Sequence, residues 1–207
     1  DPKKDQAYVL WGIPAHTLSR TLFPLGNLTK QEVREIAREN KLETAEIPES
    51  MEICFVADNN YKRFLADYVP GRMDAVGSGV IVDESGQTVG SHDGYPNYTI
   101  GQRKGLGLSS PEPRYVTQIE PSLNQIKIGK KEALLKNTCS MSRVNWLVTP
   151  MDFPCEVESQ IRYNSPVATA EIKKNNSGYE ITFQKPQSAV TPGQSIVFYR
   201  DDVVLGG

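Results

Sequence analysis

The sequence predicts an α+β chain that is mainly β, helical at its start and strand-rich after Pro70. Three observations predict it. Helix signals crowd into the first third, headed by the capping-box spacing of Thr29 and Glu32. From Gly79 onward, short β-branched runs alternate with Gly, Asn and Asp turns. A hydrophobic content of 38% and a charged content of 23% over 207 residues describe an ordinary globular chain, long enough for one large or two to three small domains.

The elements follow in order. Tyr8, Leu10 and Trp11 have helical spacing before a Gly12-Ile-Pro14 break, and a second short helix is predicted over Ala15 to Thr21. Phe23-Pro-Leu-Gly26 is a turn. The clearest helix starts after Thr29, puts Val33, Ile36 and Ala37 on one face, and ends at Asn40-Lys41. An acidic, proline-broken loop from Thr44 leads into the apolar run Ile53 to Val56, which carries Cys54. Asn59 or Asn60 caps a helix bearing Phe64, Leu65 and Tyr68, which stops at Pro70. A domain change is placed near residue 60.

Gly79 to Val82 and Gln87 to Val89 read as a hairpin across Asp83-Glu-Ser-Gly86. Tyr115 to Glu120 and Gln125 to Ile128 make another across Pro121 to Asn124. In the last third, Glu156 to Tyr163 partly alternates. Ala168 to Ile172 and Tyr179 to Phe183 flank the turn Asn175-Asn-Ser-Gly178, and Ser195 to Tyr199 and Val203 to Leu205 flank Arg200-Asp-Asp202. Such strands suggest a small antiparallel barrel or sandwich. There is no tandem repeat or low-complexity tract.

Composition narrows the function classes. No apolar run approaches the length needed to cross a bilayer. Asp1 to Asp5 is neither a signal nor a transit peptide, and the absence of an initiator Met suggests a piece of a longer chain. Three cysteines with no CxxC argue against a disulfide framework and a zinc knuckle, and favour a reducing cytosol. The formal charge of -2 supplies no global basic field, so nucleic-acid binding would need local patches.

Some stretches could carry chemistry. On its own stretch, Cys54 reads best as a core cysteine. In Tyr98-Thr-Ile-Gly-Gln-Arg-Lys-Gly-Leu-Gly107, glycines frame Gln102, Arg103 and Lys104. Such a loop can bring backbone N–H groups and cations to a phosphate, or be a tight solvated loop. It is neither a Walker loop nor a dinucleotide fingerprint. His16 and His92 are too few for an ordinary histidine metal site, so no metal is expected. His92-Asp93-Gly94 reads as a polar turn, and pairing of Cys54 with either histidine has little support. Arg162-Tyr163, at a strand end, sets a cation beside a ring, which suits RNA or an ordinary strand end. Lys127-Ile-Gly-Lys-Lys131 is a basic turn. Cys139 and Cys155 read as structural.

Taken in order, several segments resemble one family, the tRNA-specific 2-thiouridylases. They are Lys4-Asp-Gln6, Thr21-Leu-Phe-Pro-Leu-Gly26, Glu32-Val-Arg-Glu-Ile-Ala37, Ser50-Met-Glu-Ile-Cys-Phe55, Tyr98 to Gly107, Val144-Asn-Trp146, Ile161-Arg-Tyr163, Ala189-Val-Thr-Pro-Gly-Gln194, Val197-Phe-Tyr199 and Val204-Leu-Gly-Gly207. Each is weak alone, but the ordered set spans the chain and is specific.

The resemblance implies replacement of the C2 oxygen of the wobble uridine by sulfur. ATP, with magnesium, adenylates that oxygen in an N-terminal pyrophosphatase domain, and a cysteine persulfide, charged by a sulfur-donor protein, delivers the sulfur. Cys54 matches the persulfide position. Lys4, Asp5, Gln6, Arg162, Tyr163 and Gln194 match tRNA-contacting positions, and Arg103 and Lys104 are further tRNA-contact candidates from the glycine-framed loop. A thiolate suits the role, being nucleophilic and regenerable by disulfide exchange.

The implied architecture is the helical tail of an α/β pyrophosphatase domain over 1–60, a central mainly-β domain over 61–135 and a C-terminal antiparallel β-barrel over 136–207. The family's Ser-Gly-Gly-x-Asp-Ser nucleotide loop and its partner cysteine, which is left in a disulfide with the carrier, are absent. The expectation is therefore a C-terminal fragment, inactive alone, with no cofactor or metal of its own, from a cytoplasmic protein that does not enter membranes. Two alternatives stand beside it. One is a tRNA-binding module without catalysis. The other is a tRNA methyltransferase, for which no glycine-rich methyl-donor motif is visible.

Overall fold

A computed structural model describes residues 4–48, 56, 58, 60–69, 71, 75–148, 152–163 and 165–207. The chain forms two compact units, one of residues 1–50, 138–185 and 193–207, the other of residues 51–137 and 186–192.

The first unit opens with a 3-10 turn, Ala7–Gly12, and a one-turn helix α1, Ala15–Leu18. The predicted helix to Thr21 is cut short. Its last residues form bonded turns, Arg20 N–H to the Thr17 carbonyl and Thr21 N–H to that of Leu18, both at 3.0 Å. Helix α2, Lys30–Glu39, begins as its sequence dictates. The Thr29 side chain accepts from the Glu32 N–H, and the Glu32 carboxylate accepts from the Thr29 N–H at 2.6 Å, so the N-terminal orphan donors are satisfied reciprocally.

The strands β5 (Leu135–Met141), β6 (Cys155–Gln160), β7 (Ala168–Asn175), β8 (Gly178–Ser188), β9 (Val197–Arg200) and β10 (Val203–Gly206) form one sheet in the order β10-β9-β6-β7-β8-β5. Residues 145–147 then pair beyond β10. The Asn145 N–H donates to the Gly207 carbonyl and the Leu147 N–H to that of Leu205, both at 2.9 Å. Strand β5 and residues 145–147 therefore lie at opposite edges. Laid flat, those edges would be about 29 Å apart at the usual strand spacing. Four residues after Met141 reach at most about 14 Å. The sheet must therefore curl strongly to bring its edges within that reach, as the strands of a barrel do.

Its interior holds Val157, Ala170, Ile172, Ile181, Phe183, Phe198 and Leu205, all buried. Trp146 stacks on Phe198 at 5.8 Å and donates its indole N–H to the Tyr179 hydroxyl at 3.1 Å. Gly206 is at φ +152, and a Cβ there would lie 2.5 Å from the Asn145 carbonyl oxygen, so the closing contact requires glycine.

In the second unit, helix α3, Tyr61–Tyr68, is capped by the Asn60 side chain, which accepts from the Arg63 N–H at 3.0 Å. Strands β1 (Gly79–Val82), β2 (Thr88–His92), β3 (Tyr115–Glu120) and β4 (Gln125–Gly129) form a sheet in the order β2-β1-β4-β3. Both predicted hairpins are present. The first turns on Asp83, whose carboxylate accepts from the Ser85 and Gln87 N–H groups. The hairpins join through a parallel β1–β4 pair, with Ile81 opposite Ile126. Ile81, Tyr98, Leu106, Val116, Ile126 and Ile128 make the core.

Candidate nucleic-acid interface

Tyr8 is the hub of a site in the first unit. It lies in the 3-10 turn after Lys4, Asp5 and Gln6, all three exposed. The turn is tied to the barrel on both sides. The Tyr8 hydroxyl donates to the Ser195 carbonyl at 2.7 Å, and the Asn145 amide donates to the Trp11 carbonyl and, at 3.0 Å, to that of Ile13. Asp5 closes the approach by accepting the Ala7 N–H at 2.8 Å.

Three separate segments meet around this hub. The Tyr8 ring stands edge-on to the Tyr163 ring, 6.2 Å between centroids. Burial pushes the Tyr8 phenol above its ordinary range, and the nearby Arg162 guanidinium pulls it part of the way back. Ser195, which takes the Tyr8 hydroxyl, follows the exposed Gln194. Tyr199 on β9 is pushed up to about 12, by burial first and then by the Asp5 carboxylate and Tyr8. Lys4 to Gln6, Arg162–Tyr163 and Gln194 are thus brought to one region, although up to 190 positions separate them.

The Arg162–Tyr163 pair differs in one respect from its expected place. Strand β6 ends at Gln160, so the pair sits on the turn that follows, not on the strand. Within that turn the Arg162 N–H donates to the Ser165 hydroxyl at 3.1 Å, and that hydroxyl donates to the Arg162 carbonyl at 2.9 Å. The Gln160 amide donates to the Tyr163 and Ser165 carbonyls at 2.8 and 2.9 Å, and its oxygen accepts the Tyr199 hydroxyl at 3.1 Å.

Arg103 and Lys104 lie in the second unit. Their loop is folded on itself at its start. The Gly101 N–H donates to the Val116 carbonyl, the Gln102 N–H to that of Thr99, and the Gln102 side chain bridges the Thr99 N–H and the Lys104 carbonyl at 3.0 and 2.9 Å. The Thr99, Gly101 and Gln102 amides are therefore spent internally. The side chains of Arg103 and Lys104 are exposed, and neither has a hydrogen bond or ion pair among the described residues. Arg103 lines an open cleft of about 580 Å³ along residues 103–114.

Cys54 lies outside the described residues, as do Glu49 and Glu52. Glu46 is held by Arg38 at 2.6 Å. Cys139 and Cys155 are free thiols. Burial pushes Cys139 up to about 11 and raises Cys155 as well, so neither favours a thiolate at neutral pH. His92 is buried between the Gly94 N–H, which donates to its Nδ1, and the Asn124 carbonyl, which faces its Nε2; both contacts are 3.1 Å. It is a structural residue at the end of β2. No cluster of three metal-ligating side chains occurs among the described residues.

Comparison with known proteins gives three family matches in chain order. A tRNA methyl transferase HUP domain matches residues 1–58, a tRNA methyl transferase PRC-barrel domain residues 62–130, and an aminomethyltransferase beta-barrel domain residues 136–207. A tRNA-specific 2-thiouridylase MnmA of Chlorobium phaeobacteroides is 46% identical over 209 residues, covering 100% of this chain and 58% of that protein. Proteins of the same name from Salinibacter ruber and Carboxydothermus hydrogenoformans are 45% and 44% identical over the whole chain. The chain belongs to the tRNA-specific 2-thiouridylase family. It spans 55–58% of the length of these relatives. Their shared name leaves the methyltransferase alternative without favour, despite the wording of two domain descriptions.

Within this thiouridylase-family chain, sequence reading missed Tyr8, Gln160 and Tyr199 as site residues. Tyr8 read as one apolar position in a helical pattern and Tyr199 as one residue of a strand. A usable signal was present: Tyr8 and Gln160 are polar-tipped side chains within two positions of a matched segment, and Tyr199 is the last residue of one.

Proposed function

We propose that this chain is the tRNA-holding and sulfur-carrying part of a tRNA 2-thiouridylase that replaces the C2 oxygen of the wobble uridine with sulfur. The observation that carries the reading is the gathering of Lys4, Asp5, Gln6, Arg162, Tyr163 and Gln194 around Tyr8. The gathered groups suit RNA. A guanidinium and an ammonium meet phosphates, an exposed ring stacks on a base, and side-chain amides read polar edges. With a chain charge of -2, the grip depends on such a local arrangement.

Cys54 is the proposed sulfur carrier. Its persulfide attacks C2 of the uridine, whose oxygen leaves once adenylated, and a partner cysteine then takes the carrier sulfur into a disulfide and releases the thiouridine. ATP with magnesium, the partner cysteine and the contact with the sulfur-donor protein are assigned to the remainder of the full-length enzyme, acting in the cytoplasm. The HUP-domain match over 1–58 supports ATP use there. The three-part division at residues 60 and 135 is part of the proposal, supported by family matches ending at 58 and 130.

The test is a tRNA titration across salt. Each phosphate contact contributes roughly 0.7–0.9 to the log–log slope. Arg162→Ala should lower that slope by about one contact and weaken binding; an unchanged slope and affinity would return Arg162 to an ordinary turn residue. In the full-length enzyme Cys54→Ser should abolish thiolation, whereas Cys139→Ser and Cys155→Ser should retain it. Wild-type turnover by Cys54→Ser would remove the carrier assignment.

A further inference from the structure

We propose that Gln160 is the positioning residue for the Arg162–Tyr163 contact, with Tyr199 anchoring its amide oxygen; this rests on the reading of that pair as tRNA contacts. Gln160 is the last residue of β6, opposite Val197. Its two N–H donors go to carbonyls of the turn itself, those of Tyr163 and Ser165 at 2.8 and 2.9 Å. Its oxygen accepts the Tyr199 hydroxyl at 3.1 Å. The two carbonyl acceptors admit one amide orientation, because a flip would set the amide oxygen against both carbonyl oxygens.

The clamp acts on the main chain between the two side chains offered to RNA and the strand below. Tyr163 is 39% exposed, so packing alone does not fix its place. A turn already held in its binding shape loses less conformational freedom when RNA docks, which appears as affinity. Tyr199 links the clamp to the rest of the site, since Asp5 and Tyr8 both bear on its phenol. A strand-end cap without function would have the same hydrogen bonds, but its removal would not depend on Arg162.

That dependence is the test. The full-length enzyme carrying Gln160→Met keeps the side-chain length and loses all three bonds. Its tRNA Kd and its KM for tRNA should rise roughly five- to tenfold, the worth of about one net hydrogen bond, with kcat changed by less than about twofold. Tyr199→Phe removes one hydroxyl and should act in the same direction with a smaller change. On an Arg162→Ala/Tyr163→Ala background, Gln160→Met should add no further loss. Full additive losses on that background would overturn the inference, as would wild-type affinity in folded Gln160→Met. If Gln160→Met fails to fold, Tyr199→Phe carries the same comparison. Unchanged affinity in Arg162→Ala/Tyr163→Ala would instead overturn the tRNA-contact reading, and this inference with it.

Discussion

Replacing Tyr8 by Phe isolates one bond of the hub. The ring survives, and with it the edge-on contact to Tyr163 at 6.2 Å; only the hydroxyl that donates to the Ser195 carbonyl at 2.7 Å is lost. A net hydrogen bond is worth about 0.5–1.5 kcal/mol. Ser195 is only half-buried, so water can replace the hydroxyl and the full penalty of an orphaned acceptor is avoided. The Asn145 bonds to the Trp11 and Ile13 carbonyls remain. The expected loss is therefore about 1 kcal/mol, a factor of about five. The loss is local to residues 4–12. Hydrogen exchange in the full-length protein should show the Val9 and Ile13 amides, which bond the Gln6 and Leu10 carbonyls, exchanging about fivefold faster. The Val157 and Ile172 amides of the barrel should be unchanged. If the hub seats Lys4 to Gln6 for RNA, tRNA affinity falls by a similar factor. Faster exchange at Val9 with unchanged tRNA affinity would refute the seating argument. Unchanged exchange would show that the hydroxyl bond contributes nothing.

Further outcomes follow from the same geometry. Cys139, pushed up to about 11, should react with iodoacetamide at a rate that climbs until pH approaches 11; a plateau below pH 9 would contradict its buried environment. The raised value also fixes a sign: the neutral buried thiol favours the fold below pH 9, and that contribution is lost as pH rises through about 11. Tyr199, pushed up to about 12, should ionise after the exposed tyrosines in a 295 nm titration, and Tyr199→Phe should remove that late step. Gly206→Ala should destabilise the barrel by on the order of 2–3 kcal/mol, read as an earlier thermal transition, because φ +152 and the Asn145 carbonyl leave no room for a Cβ; a wild-type transition would refute the closure geometry.

What the sequence made legible was local. The α2 capping box, the Asn60 cap and the Asp83 hairpin are written in residues three to five apart, and each appears where its side-chain chemistry puts it. The strand β5 was not legible. Leu135-Lys-Asn-Thr-Cys-Ser-Met141 is mostly polar and mostly exposed, so it carries no alternating apolar face. The parallel β1–β4 joint was hidden for another reason. It pairs residues about 45 apart, and turn chemistry specifies only neighbours. The hub was hidden most deeply, because the bond from Tyr8 to Ser195 crosses 187 positions. The resemblance supplied most of its outer residues one by one, without the side chains that hold them together.

Those holding residues explain why motifs far along the chain from Cys54 belong to the pattern. Asn145 and Trp146 close the barrel against Gly206 and Gly207, and the same Asn145 side chain ties down the Ala7–Gly12 turn through Trp11 and Ile13. Barrel closure and the seating of Lys4 to Gln6 therefore share one residue, Asn145. An RNA grip made of few cations on a chain of net charge -2 gains little from long-range attraction. It depends on donors being in place before the RNA arrives, because each side chain ordered on binding costs about 0.5–1.5 kcal/mol of affinity. Neutral hydrogen bonds suit that task better than exposed ion pairs, which salt and phosphates would compete away. At the hub the bonds to Ser195, Gln160, Tyr163, Ser165, Trp11 and Ile13 join neutral groups, while Arg162 meets the hub through its charge.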